Sequence, residues 1–398
     1  MDLLITPGKL TGSIPVIPSK SQAHRLLICS AFADRDTFLH CGETNRDIEA
    51  TAACLRAMGA EILRTEAGYH VFPVKKIPDH AVLPCRDSGS TLRFLLPVAG
   101  ALGIEAEFQL EGRLAQRPLS PLWEEMQRMG CKLSFTHDNT LLCSGRLRSG
   151  SYQIDGGVSS QFISGLLFAA ALIPGETRIT ITGKLESKPY IGLTQQALKI
   201  FGCESEDFKI CGGKALVSPG ELTVEGDWSN SAFFLAANVL GNDLSISNLA
   251  MDSMQGDSAA AQLLPSLRGN CVISAADIPD LVPIMAITAA CYQGAVFTDI
   301  RRLRLKESDR VASVINMITA LGGSAEATED TLTVHGTGLT GGTVDCANDH
   351  RIAMSAAIAA TVCSRNVTLL GAHCVEKSYP RFFEEYKRLG GIYEQYIR

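Results

Sequence analysis

LRAMGAEIL (55–63), MQRMGCKLSF (126–135), ALKIFGCESE (197–206), LLPSLRGNCVI (263–273), MITALGGSAEA (317–327) and YKRLGGIYEQ (386–395) repeat one pattern: a helix-like run stops at a glycine and gives way to a short alternating or polar segment. The glycines Gly59, Gly130, Gly202, Gly269, Gly322 and Gly390 stand 71, 72, 67, 53 and 68 residues apart, which marks six related units. Glycine suits the left-handed position that closes a helix, and the residues after it read as a strand. ELTVEG (221–226), TLTVHG (331–336) and TRITITG (177–183) show the strand alternation. A unit of about 66 residues has room for two helices and several short strands, so it is an α/β module that must bury its apolar face against its neighbours.

At 398 residues the chain is too long for one ordinary core, and three modules per domain divide it naturally. The switch between halves is expected near VEGDWSNSAFFLAANVL (224–240), where a strand yields to Asp227 or Ser229 as a cap and then to an apolar helix. With 36 Lys and Arg against 42 Asp and Glu, the net charge of −6 argues against a nucleic-acid footprint, though not against a local basic cleft. The first residues lack a basic leader with an apolar run, and no apolar stretch approaches the length of a membrane span. Thirteen cysteines without a CxxC or a regular spacing read as reduced thiols, and a cytoplasmic location is expected. No HExxH or other ligand spacing points to a metal.

Polar motifs recur at the heads of apolar helices. PSKSQAHR (18–25) puts Lys20, Ser21 and Arg25 in the first turns of a helix, where cations are unfavourable unless an anion sits against them. In CRDSGSTLRF (85–94), Gly89 lets backbone amides approach a phosphate, beside Ser88, Ser90, Thr91 and Arg93, yet the spacing is not that of a P-loop. GRLAQRPLSPLW (112–123) supplies Arg113 and Arg117, and DGGVSSQF (155–162) supplies Ser159, Ser160 and Gln161. Asp280 heads an almost uniformly apolar helix, and LKESDR (305–310) holds Lys306, Glu307, Asp309 and Arg310, with Lys306 and Arg310 on one face if both are helical. NDHR (348–351) and EKSYP (376–380) complete the set with Asp349, His350, Arg351 and Lys377. Ordinary capping accounts for several of these hydroxyls and for Asp280 equally well. A scaffold that only binds partners also fits the repetition, but it predicts scattered charge. If helix heads share a cleft, Lys20, Arg25, Arg93, Arg117, Lys306, Arg310 and Lys377 make it a site for phosphates and carboxylates.

In order and spacing, from PSKSQAHR to EKSYPRFF, these segments resemble the signature regions of the EPSP synthase family, 3-phosphoshikimate 1-carboxyvinyltransferases. The resemblance implies a two-domain inside-out α/β barrel of six βαβαββ units, three per domain. Residues 1–12 would form a strand belonging to the second domain (226–398), 13–225 the first domain, and the active site would lie in the interdomain cleft. It also implies transfer of the enolpyruvyl group of phosphoenolpyruvate to the 5-hydroxyl of shikimate 3-phosphate, with no cofactor or metal, no nucleic-acid or membrane partner, a monomeric state, and inhibition by glyphosate through the small Gly89.

Shikimate 3-phosphate would be held by Lys20, Ser21, Arg25, Ser159, Ser160, Gln161, Ser187, Tyr190, Asp280 and Lys306. Phosphoenolpyruvate would be held by Lys20, Gly89, Arg117, Gln161, Arg310, Arg351 and Lys377, with Arg93, His350 and Asp349 in support. Asp280 would take the hydroxyl proton, Glu307 would protonate the methylene carbon, and Lys20 would contact both substrates. Two departures from the family pattern stand out: Asp87 brings a carboxylate into the phosphate loop, and Arg302 replaces a frequent asparagine. UDP-N-acetylglucosamine 1-carboxyvinyltransferases share the fold and the donor, but they carry Lys-Asn where this chain has Lys20 and Ser21, and a reactive cysteine where it reads EGRLAQRP.

Overall fold

A computed structural model describes residues 1–136 and 138–396. One module shows the plan. Strand His80–Arg86 leads through helix Gly89–Leu102 into the parallel strand Glu105–Leu110. Helix Leu122–Arg128 then leads into a hairpin of Cys131–Phe135 and Thr140–Gly145 that adds antiparallel to the second strand. The same βαβαββ order recurs with Val272–Ser274, Val282–Ala290, Gly294–Thr298, Arg310–Ala320, Ser324–Ala327 and Thr331–His335.

The chain separates into two compact units, Pro18–Glu225 and Met1–Ile17 together with the chain from Gly226 on. Two strand exchanges explain the division. Strand Thr11–Pro15 precedes helix Lys20–Ala31 in sequence, yet it pairs in parallel with Asp243–Ser247 of the later unit. Conversely, Glu221–Thr223 precedes helix Trp228–Val239 but pairs in parallel with Thr37–His40 of the earlier one. The expected break after residue 12 would cut the first of these strands. Thr11–Pro15 is continuous and Val16 N donates to Ser247 O, so the break falls after Ile17 instead.

Each unit encloses its own apolar core. In the earlier unit the inner helices Lys20–Ala31, Gly89–Leu102 and Ser160–Leu172 are buried over most of their length, with sheets outside them, the inside-out arrangement. Gly165 allows close packing of two of these helices, because a Cβ there would lie 2.2 Å from Arg93 O. Helices Trp228–Val239, Val282–Ala290 and His350–Ala360 play the same part in the later unit.

Five of the six repeat glycines have positive φ, and Gly269 does not. After Gly269 the chain runs directly into Val272–Ser274, the first strand of the following module, with no hairpin between. That omission accounts for the short interval of 53 residues. No described helix is long and apolar enough to cross a membrane.

Candidate active site

Five of the inner helices, and helix Arg310–Ala320, begin with side-chain caps that the sequence supplies. Ser19, Ser88 and Ser159 accept from the amides of Gln22, Thr91 and Gln161, and Asp227, Asp309 and Asp349 from those of Asn230, Ala312 and Arg351. Each cap satisfies an orphan amide, so the adjoining polar side chains can serve another purpose.

In the unit Pro18–Glu225, Lys20 Nζ lies 3.0 Å from Asp47 Oδ2, and the lysine side chain keeps 16% exposure. Arg25 is 2% exposed; its Nε donates to Thr194 Oγ1 at 2.8 Å, Nη1 to Ser21 O at 2.6 Å and Nη2 to Tyr190 O at 2.7 Å, while its guanidinium lies over Phe94. Burial lowers this guanidinium to about 10. Arg93 Nη1 donates to Gln161 Oε1 at 2.8 Å, and Gln161 Nε2 to Ser90 Oγ at 2.9 Å. A Cβ on Gly89 would stand 2.8 Å from Arg117 Nη1 and 3.0 Å from Arg93 Nη1, so the absent side chain is what lets two guanidinium groups approach this helix head. Ser160 is buried, and Ser187 is buried with φ 54° ahead of Lys188–Ile200, the helix that carries Tyr190.

The later unit holds a denser charge cluster. Arg310, with a side chain 1% exposed, donates from Nη1 to Asp280 Oδ1 at 2.7 Å, from Nη2 to Glu307 Oε2 at 2.6 Å and from Nε to Asp349 Oδ2 at 2.9 Å. Lys306 Nζ reaches Asp280 Oδ1 at 3.3 Å, and Arg351 reaches Asp280 Oδ2 at 3.2 Å and Asp280 O at 3.0 Å. Burial pushes the Asp280 carboxyl up, but Arg351, Lys306 and Arg310 together outweigh it and hold it well below the usual carboxylate range. Burial lowers Lys306 to about 8, with Asp280 opposing the shift and Arg310 and Arg302 adding to it.

Two sequence readings change here. Asp280 does not cap its helix; Leu281 occupies that position, and Asp280 collects cations instead. Nor do Lys306 and Arg310 share a helical face, since Arg310 opens helix Arg310–Ala320 while Lys306 ends the short helical turn Arg301–Leu305; they converge on Asp280 from separate elements. Arg302 is 9% exposed, so it does not point outward, and its charge presses on Lys306. Lys377 and His350 are buried, and the turn Ala372–Lys377 packs on helix His350–Ala360. Asp47, Thr51 and Thr194 escaped the sequence reading: Asp47 has the look of an ordinary acid in a helix first turn, and the threonines of helix interior. Among the described residues no group of three or more His, Cys, Asp or Glu gathers as metal ligands would.

Two clusters of cations thus stand at the heads of repeated apolar helices, one of them built around carboxylates. The family model of EPSP synthase (3-phosphoshikimate 1-carboxyvinyltransferase) matches residues 5–274 and 265–386. The chain belongs to the EPSP synthase family. It is 34% identical to the 3-phosphoshikimate 1-carboxyvinyltransferase of Clostridium beijerinckii, with 99% of each chain covered. It is also 34% identical to that of Clostridioides difficile, over 99% of this chain and 98% of the relative. An EPSP synthase structure from Acinetobacter baumannii superposes with a TM-score of 0.79 at 23% identity, covering 99% of this chain and all of that one, a likeness of fold. Enolpyruvyl transfer is the general reaction of EPSP synthase family members, and this chain is a transferase of that kind.

Proposed function

We propose that the chain transfers the enolpyruvyl group of phosphoenolpyruvate to the 5-hydroxyl of shikimate 3-phosphate, releasing phosphate, as a step of chorismate and aromatic amino-acid biosynthesis in the cytoplasm. The observation that carries the reading is the sharing of Arg310 by Asp280 and Glu307, at 2.7 and 2.6 Å. The reaction needs a proton donor at the methylene carbon and a proton acceptor at the attacking hydroxyl, two carboxyl groups close together in opposite states. Glu307 is assigned to protonate C3 as the hydroxyl oxygen bonds to C2. It later takes a C3 proton back as the C2–O bond to phosphate breaks. Asp280 is assigned the hydroxyl proton.

Held down by three cations, Asp280 is a weak base before substrate arrives. An incoming phosphate or carboxylate that engages Arg351 or Lys306 relieves part of that hold, so binding itself makes Asp280 more basic. Arg310 already donates to three carboxylates, so an anion that engages it competes with them. In the earlier unit the reading assigns Lys20 to both substrates. Gly89, Arg117 and Gln161 go to phosphoenolpyruvate, with Arg351 and Lys377 from the later unit. Ser21, Arg25, Ser159, Ser160, Ser187 and Tyr190 go to shikimate 3-phosphate. One substrate pair is thus assigned to both clusters. The space that Gly89 leaves beside Arg117 supports competition by glyphosate, which carries a phosphonate and a carboxylate as phosphoenolpyruvate carries a phosphate and a carboxylate.

Phosphate release from phosphoenolpyruvate tests the reading, measured alone, with shikimate 3-phosphate, and with UDP-N-acetylglucosamine. Release that depends on shikimate 3-phosphate is expected, with glyphosate competing against phosphoenolpyruvate. Release only with the nucleotide sugar would replace the acceptor, and release with neither from folded protein would sink the assignment.

A further inference from the structure

Four buried polar side chains outside the charge clusters form one string. His24 Nδ1 lies 2.7 Å from Thr51 Oγ1, Thr51 Oγ1 lies 2.7 Å from Thr91 Oγ1, and Thr91 Oγ1 lies 2.8 Å from Ser88 Oγ. All four residues are 0% exposed. The string ties together helix Lys20–Ala31, helix Arg46–Ala57 and the head of helix Gly89–Leu102. These elements carry Lys20, Asp47, and Gly89 with Arg93. Thr91 Oγ1 also lies 3.4 Å from Asp47 O, and the carboxylate of that residue holds Lys20.

Stability does not call for such a string, since apolar side chains of similar size would pack these helices without burying polar atoms. The string does, however, have a direction. Burial holds the His24 imidazole down to about 3, so it is neutral, and its Nε2 has no partner among the described residues. A bare buried acceptor is tolerated better than a bare N–H, which places the proton on Nδ1. Nδ1–H then donates to Thr51, the Thr51 hydroxyl to Thr91, and the Thr91 hydroxyl to Ser88. Ser88 Oγ, which also accepts from Thr91 N at 3.4 Å, is thereby held as the cap immediately before Gly89.

We propose that Thr51 and Thr91, oriented by His24, are positioning residues that lock the Ser88–Gly89 turn in register with Lys20, preorganising it for the phosphate of the substrate. The proposal rests on the functional reading above and deepens it. Preorganised donors keep their value because they need not reorganise when the anion arrives.

Thr51→Val and Thr91→Val in the full chain remove the hydroxyls at nearly constant volume, and Thr91→Ser keeps the string. Thr91→Val is expected to raise the KM for phosphoenolpyruvate about tenfold, the equivalent of one hydrogen bond's worth of order. The KM for shikimate 3-phosphate should stay within about twofold, since only one ligand loses its preorganised site, while the thermal midpoint falls modestly because the buried Thr51 hydroxyl loses its acceptor. Thr91→Ser should restore the KM, and Thr51→Val/Thr91→Val should cost no more than Thr91→Val alone, because a broken string cannot be broken twice. An unchanged KM for phosphoenolpyruvate, a parallel rise in both KM values, or additive costs would each overturn the proposal.

If the unsubstituted chain shows no turnover, the functional reading fails separately. Calorimetric titration with inorganic phosphate then decides the string by itself. Weaker binding to Thr91→Val than to the unsubstituted chain upholds it; equal binding, or no binding to either, overturns it. Should Thr91→Val not fold, the comparison of Thr51→Val with the unsubstituted chain takes its place, with the same outcomes.

Discussion

Lys306 shows how one residue's chemistry follows from where the chain puts it. Burial removes water from its ammonium, Arg310 and Arg302 repel it, and Asp280 at 3.3 Å recovers only part of the loss, so the group titrates near 8 instead of at its ordinary value. The sign for activity is set by that value. Below about 8 the side chain is charged in the free protein and attracts an anionic substrate; above it the charge is lost. kcat/KM reports the free protein, so it should fall as pH rises through about 8, whereas kcat should hold to higher pH because a bound anion stabilises the ammonium. Lys306→Arg keeps its charge across this range and should remove that alkaline limb, even if the bulk of a planar guanidinium in a site shaped for an ammonium lowers the plateau. pH profiles of both parameters for the two proteins check this, and an alkaline limb that survives in Lys306→Arg would assign the ionisation elsewhere.

At the scale of elements, helix His350–Ala360 is held to its neighbours by one carboxylate with two duties. Asp349, itself fully buried, accepts from Arg351 N at 3.0 Å as the helix cap, and it binds Arg310 Nε at 2.9 Å and Ser308 Oγ at 3.1 Å. Asp349→Asn preserves the cap but leaves Arg310 short of a counter-charge, so a loss of about 3 kcal/mol is expected, as for a broken buried pair. Asp349 is pushed up by burial but held below its ordinary value on balance by Arg310, so the stability it confers is present above the unfolded carboxylate pKa and disappears as pH falls through the folded one. Denaturant midpoints should therefore differ between Asp349→Asn and the unsubstituted chain at pH 7 and converge in acid. Capping was legible from the sequence for Asp227 and for hydroxyls such as Ser88 and Ser159, because capping is local, whereas Asp349 stood there only as a supporting group of the site. The family resemblance brought Arg310 and Asp280 to the site, but local reasoning misjudged how they meet, because helical spacing says nothing about a partner 30 positions away. Arg25 and Thr194 are 169 residues apart, and no periodicity connects them. Asp47 was hidden for the opposite reason: an acid in a helix first turn already has a sufficient local explanation.

For the molecule as a whole, the repeat pattern correctly announced three modules per unit, while strand exchange decided which residues complete them. Strand Leu3–Thr6 is not an edge. It lies between Val367–Leu370 and Ile392–Gln395 and pairs antiparallel with both, opposing Leu3 to Leu369 on one side and to Gln395 on the other. Its inward side chains, Leu3 and Ile5, are 2% and 0% exposed within the core of the later unit. Deleting residues 2–7 would remove two ladders at once and empty two core positions. At about 2–5 kcal/mol for each large side chain before any hydrogen bond is counted, the loss is comparable with the 5–15 kcal/mol that typically separates folded from unfolded. Because the unit Pro18–Glu225 closes around a different set of apolar residues and takes its own exchanged strand from Glu221–Thr223, that loss should not spread to it. Hydrogen exchange of the truncated chain should then show lost protection across Gly342–Asp345, Val367–Leu370 and Ile392–Gln395, with the strands and inner helices between Pro18 and Glu225 as protected as before. Protection lost equally in both units would mean that the two cores fold as one cooperative body, and protection kept in both would mean that the central strand is dispensable to its sheet.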